Sequence, residues 1–134
     1  MTTERADTPH QVFERYLDAI TAQRWAELPQ LYAPDAVVEH PFGPPNHRIM
    51  HGRDELRTHF AALADLGLQM QASDVLVHDT LDPEVIIAEF TYHGTTKTSQ
   101  PIRRGNIFVI TVRDGHIVNS RDYQPAARLA TLTP

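Results

Sequence analysis

The chain has 134 residues, enough for one domain with a real core and too few for two comfortable ones. Apolar residues make up 41% and charged residues 22%, and a formal charge of −5 with no Lys/Arg cluster removes the basic footprint that nucleic acid requires. The absence of cysteine excludes disulfides, thiolate nucleophiles and cysteine-held metals; no apolar run suits a signal peptide or a membrane span, so a soluble, cytoplasmic protein is expected.

Residues 1–7 are polar and expected to fray. Thr8-Pro9 reads as a helix N-cap followed by proline at the first helical position, with Gln11 placed to close a capping box. Val12, Phe13, Tyr16, Leu17 and Ile20 then recur at helical spacing. Tyr16 lies inside that stripe, either as core filler or as a hydrogen-bond donor into a cavity. A second short helix is expected from Trp25 to Tyr32, with Pro29 tolerated only in its first turn. Ala33-Pro34-Asp35 ends it, and Val37-Val38 starts a brief strand. Glu39-His40-Pro41-Phe42-Gly43-Pro44-Pro45 turns that strand into a stiff lip.

Gly52-Arg53-Asp54-Glu55 opens a third helix, with acidic residues at its positive end. Leu56, Phe60 and Leu63 mark its buried face, and Gly67 is placed as its stop. His59 points to the same side as these apolar residues, where spacing alone favours a hydrogen-bonded core histidine. The second half reads as strands, from Leu68 to Val77, Val85 to His93, Asn106 to Arg113 and His116 to Tyr123. In the second of these runs, Ile86, Ala88, Phe90 and Tyr92 line one face and Val85, Ile87, Glu89, Thr91 and His93 the other. Thr95 to Pro101 is a polar connection.

Asp114-Gly115 between two alternating runs is a strong signal for a two-residue hairpin turn. In a regular hairpin Arg113 pairs with His116, and Asp122 falls opposite Ile107. Asp122 then shares its face with Ser120, Val118, Val109 and Thr111, while Arg121 shares the other with Phe108, Ile110 and Asn119. A single bulge exchanges these faces. Small and apolar neighbours disfavour a charged carboxylate and suit proton transfer near neutral pH; the alternative is a carboxylate tied to Arg121 or an amide. Helices followed by a long meander predict an α+β fold with helices packed into one bent antiparallel sheet around a pocket.

This order of elements, with the Pro-Phe loop, the Gly-Arg-Asp helix and the closing Arg121-Asp122-Tyr123, resembles the nuclear transport factor 2-like superfamily from about residue 9 to 132. The resemblance implies a cone-shaped curved sheet, antiparallel or mixed, closed by three helices, and commonly a homodimer. Its SnoaL-like branch carries an acid–base aspartate matched by Asp122. Ketosteroid isomerases share segments like Glu14-Arg15-Tyr16 and Leu31 to Glu39. Tyr16 matches their oxyanion-stabilising tyrosine, but His40 stands where they have the catalytic aspartate, and no carboxylate lies in Asn106 to Val112. Limonene-type epoxide hydrolases also match at Asp122, with Glu89 and Thr91 in place of their Arg and second Asp. The phenazine-biosynthesis A/B proteins are most similar: Gly52 to His59 resembles their Gly-Arg-Asp helix with its histidine, and Arg121 to Pro125, with Arg128-Leu129, resembles their closing segment. Aspartate here replaces their glutamate, which moves the carboxyl by about 1.5 Å.

The resemblance raises His59 and Asp122 above their structural readings, and Tyr16 and His40 by less. It implies general acid–base chemistry on a small apolar or cyclic carbonyl-containing molecule, of isomerase, cyclase or condensation type. Asp122 would carry the proton, His59 or His40 would supply a second transfer, and Tyr16 would stabilise an oxyanion. Trp25, Phe42, Phe60, Glu89 and Phe108 are the expected substrate wall. An epoxide hydrolase-like enzyme and a non-catalytic binding or interaction domain are the alternatives. His40, His47 and His51 surround a loop without a helical metal-binding pattern, so no metal and no cofactor is expected.

Overall fold

In the computed structural model, which describes residues 5–43 and 47–124, Thr8 and Gln11 form the expected reciprocal box. The Thr8 hydroxyl accepts the Gln11 N–H, and the Gln11 side chain accepts the Thr8 N–H at 2.9 Å. Such a cap is worth about 1 kcal/mol and starts helix α1, Pro9–Thr21. Val12, Phe13, Tyr16 and Ile20 form its buried stripe. The second helix is a 3₁₀ helix, Trp25–Leu31, with Pro29 inside it rather than an α-helix. A proline in so short a segment leaves no i→i−4 bond at its own position, and the tighter winding is the usual resort.

Strand β1, Tyr32–His40, is longer than the expected Val37-Val38 start. Its pairing with β6 shifts register between Tyr32 and Val37, and Pro34 is accommodated in that irregular part. The short strand β2, Arg48–His51, pairs antiparallel with β1 and had no signal of its own. Helix α2, Gly52–Asp65, ends as expected: Gly67 takes φ 63° and its N–H reaches the Ala64 carbonyl. The Gly-Arg-Asp start has a structural role, because Arg53 Nε donates to the Tyr32 carbonyl at 2.9 Å and ties α2 to the start of β1.

Strands β3 (Gln69–Asp79), β4 (Val85–Thr95), β5 (Pro101–Arg113) and β6 (His116–Tyr123) form the meander. The six strands run in the order β2-β1-β6-β5-β4-β3, antiparallel throughout except for the parallel β1/β6 ladder. The helices cover the concave side of this mixed, unclosed sheet. There Phe13, Ile20, Leu28 and Leu56 meet Ile86, Phe90, Phe108 and Ile110 in one core. Among the described residues no helix is long and apolar enough to cross a membrane.

The hairpin corrects the expected register. Asp114 and Gly115 both adopt positive φ, 52° and 77°, as the two-residue turn demands, and Arg113 does pair with His116. Val112 then pairs with Ile117 but Thr111 with Asn119, so Val118 is an extra residue in β6. Asp122 consequently lies opposite Phe108, not Ile107. The inner face of β5 is Phe108, Ile110 and Val112, and Val109 belongs to the outer one. Without the bulge Asp122 would turn outward with Val109 and Thr111. The bulge places it inside and leaves Arg121 exposed.

Candidate active site

The parallel ladder between β1 and β6 sets Val38 beside Ser120 and Glu39 beside Arg121. One residue further on, His40 and Asp122 stand together on the concave face, only 8% and 5% exposed. His40 Nε2 is 3.4 Å from Asp122 Oδ2. That exceeds an ordinary hydrogen bond, a separation that catalytic pairs close when a ligand arrives. The other carboxylate oxygen, Oδ1, accepts from Ser120 Oγ. Asp122 is thus held through one oxygen while the second faces His40 and the cavity.

His59, from α2, meets the His40 ring edge-on, with centroids 5.4 Å apart, and is backed by Phe60. Burial pushes its pKa from 6.5 down to about 4, and the neighbouring His40 and Arg48 push the same way. Near neutral pH it is a neutral imidazole with one donor and one acceptor nitrogen. Tyr16, Tyr32 and Tyr92 complete the polar lining. Burial is the main cause raising all three phenols, so their hydroxyls stay protonated donors. Tyr92 donates to the Tyr16 oxygen at 3.5 Å, which leaves the Tyr16 proton available to a ligand. Phe108 supports the Tyr16 ring edge-on at 5.9 Å.

These groups surround a cavity of about 580 Å³ whose remaining wall is largely apolar, including Met50, Leu56, Leu63 and Met70. A space of that size suits a small organic ligand. Among the described residues no three His, Asp or Glu side chains come together as a metal site.

The SnoaL-like domain family matches residues 13–120. The chain belongs to that family. An uncharacterized PhzA/B-like protein of Pseudomonas aeruginosa is 30% identical over 111 residues, 81% of this chain and 76% of that protein. Among solved structures, a phenazine biosynthesis-related protein from Pseudomonas aeruginosa superposes with a TM-score of 0.79 at 15% identity, covering 92% of this chain and 82% of that one. The epoxide hydrolase/cyclase-like enzyme SalBIII, of pyran ring formation in the polyether salinomycin, superposes at 0.73 with 13% identity, covering 87% and 89%. At those identities the likeness is one of fold.

In this SnoaL-like domain the expected residues divide. Asp122, His40, His59, Tyr16 and Phe60 all line the cavity. His40, rather than His59, is the group against Asp122, because the β1/β6 ladder and not the α2 face decides that contact. Four residues of the expected substrate wall lie elsewhere. Glu89 points from the outer face of β4 and pairs with His78. Phe42 is 55% exposed and stacks on Tyr123. Trp25 packs half-buried against the core from the 3₁₀ helix. Phe108 is buried behind Tyr16 and Phe90. Arg121 does not hold Asp122; its Nε donates to the Tyr123 hydroxyl. Pro44, Pro45, Pro125 and Arg128-Leu129 lie outside the described residues.

Sequence reasoning missed Tyr32, Arg104 and Gln124 as cavity groups and Ser120 as the donor to Asp122, and treated Tyr92 only as a face residue. Tyr92 and Arg104 were accessible in principle. Tyr92 shares a face with Phe90, and Arg104 shares one with Ile102 and Asn106, but starting β5 at Asn106 left Arg104 in no element.

Proposed function

We propose that this SnoaL-like domain is a small-molecule enzyme working by general acid–base catalysis on a cyclic or largely apolar carbonyl compound, in an isomerisation, cyclisation or condensation. The observation that carries this reading is Asp122, buried in an open cavity with one oxygen held by Ser120 and the other facing His40. Asp122 takes the proton from carbon next to the carbonyl. Tyr16, supplied by Tyr92, donates to the oxygen as it gains negative charge, and neutral His59 relays a proton, taking one on its free ring nitrogen as it releases the one on the other. The apolar wall keeps water from competing. In this reading the partner is that small molecule and the assembly is a homodimer, in the cytoplasm. An epoxide hydrolase reading needs a second acid flanking a water, and Glu89 stands on the wrong side of the sheet for it.

The test is deuterium wash-in at the α-carbon of a panel of cyclic ketones and enones, followed by NMR. Wild-type protein should accelerate exchange, and Asp122→Asn should lose about 10²- to 10⁴-fold of that acceleration. Full exchange in Asp122→Asn would remove Asp122 as the proton carrier. Absent exchange in wild type, with ligand binding intact, would leave a binding protein.

A further inference from the structure

Arg104 faces the cavity from β5, directly across from Tyr92 on β4. Among the described residues its Nε is buried without a hydrogen-bond partner, and the guanidinium takes part in no ion pair. Holding a half-buried arginine part-way out of water without a counter-charge is unfavourable, and stability alone gives no reason to keep one there. Burial disfavours its charged form, the strain expected of a cation awaiting an anion. The other arginine of the lining, Arg48, is exposed and lies at the opposite end, paired across the ladder with His40.

We propose that Arg104 is the receptor for a carboxylate carried by the substrate, with Tyr92 beside it. The fork of a guanidinium matches a carboxylate with two parallel hydrogen bonds. A single arginine in an apolar wall neutralises a monoanion and leaves a phosphate dianion half-compensated, which selects the carboxylate. Geometry places the two ends of the ligand. Asp122 lies opposite Phe108, and Arg104 is four residues back along the same strand, about 13 Å of extended chain. The carboxylate is therefore anchored several bonds from the carbon that loses its proton. Binding energy collected at Arg104 positions that carbon at Asp122. This inference names the substrate class of the site proposed above and so rests on that reading.

The experiment is calorimetric titration of matched probes, cyclohexanecarboxylate and 2-naphthoate against their neutral carboxamides, into wild type, Arg104→Met and Arg104→Lys. Wild type should bind the carboxylates at least tenfold more tightly than the amides. Arg104→Met should erase that preference, and Arg104→Lys should keep part of it. Equal affinity for acid and amide, a preference that survives Arg104→Met, or no carboxylate binding to wild type at millimolar concentration overturns the proposal. Thermal melts identify an unfolded Met variant, and the Lys variant and wild-type selectivity then decide. If the preference holds but no ketone exchanges deuterium, the anion site stands and the acid–base reading falls. If exchange occurs without the preference, the reverse is true.

Discussion

His59 shows how one side chain can be both a site group and a liability. Its folded pKa is about 4 against 6.5 in the unfolded chain. Between those values the unfolded state holds a proton that the folded state refuses, so stability falls as pH drops from 6.5 to 4 and changes no further from this source below that. At about 1.4 kcal/mol per pKa unit the full effect is at most about 3 kcal/mol. His59→Gln should therefore flatten the pH dependence of urea-unfolding free energy across that window relative to wild type, by up to one proton's worth of slope. An unchanged slope would show that His59 titrates like an exposed imidazole. The same residue illustrates what could be read in advance. Its place on the apolar face of α2 follows from three- and four-residue spacing, but that His40 and not His59 touches Asp122 depends on a contact between strands 82 positions apart.

At the level of elements, local signals were legible and non-local ones were not. The capping box of Thr8 and Gln11, the stop at Gly67 and the turn at Asp114-Gly115 each depend on chemistry within four residues, and each was found where the sequence placed it. The parallel β1/β6 ladder, the strand β2 and the early start of β5 carry no such marker, because pairing and burial decide them. The bulge at Val118 belongs to the second kind. Nothing about a valine in an alternating run announces it, yet it sets which face Asp122 takes. Deleting Val118 should leave a regular hairpin in which Thr111 still faces Asn119 and Phe108 still faces Asp122, so Ser120 and Asp122 stay inward. The deletion variant should melt near wild type by circular dichroism and keep Asp122-dependent exchange. Exchange lost in a folded variant would show that the extra twist at the bulge, and not the pairing alone, aims Asp122.

For the whole molecule, the cone accounts for why a short sequence with an ordinary composition forms a cavity instead of a solid core. The helices cover one side of the curved sheet, leaving its outer face as a second surface to be explained. Across four strands that face carries one continuous row: Leu76, Glu89, Ile107 and Tyr123, each paired with the next. Leu76 and Ile107 are 54% and 45% exposed, Phe42 stacks on Tyr123 at the end of the row, and a shallow cleft runs between Phe42 and Ile107. Exposed apolar side chains in a row are a common mark of an interface, and a stable one buries about 800 Å² on each partner. Glu89, paired with His78, puts a charge pair into that row, which favours an ordered two-fold contact over indiscriminate aggregation. If the homodimer forms here, Ile107→Lys combined with Leu76→Lys should shift the mass measured by light scattering from dimer to monomer without disturbing the cavity on the opposite face. Carboxylate binding at Arg104 should survive the change, since none of its lining residues belongs to the row. A dimer unaffected by both lysines would place the interface elsewhere on the sheet or on the helices.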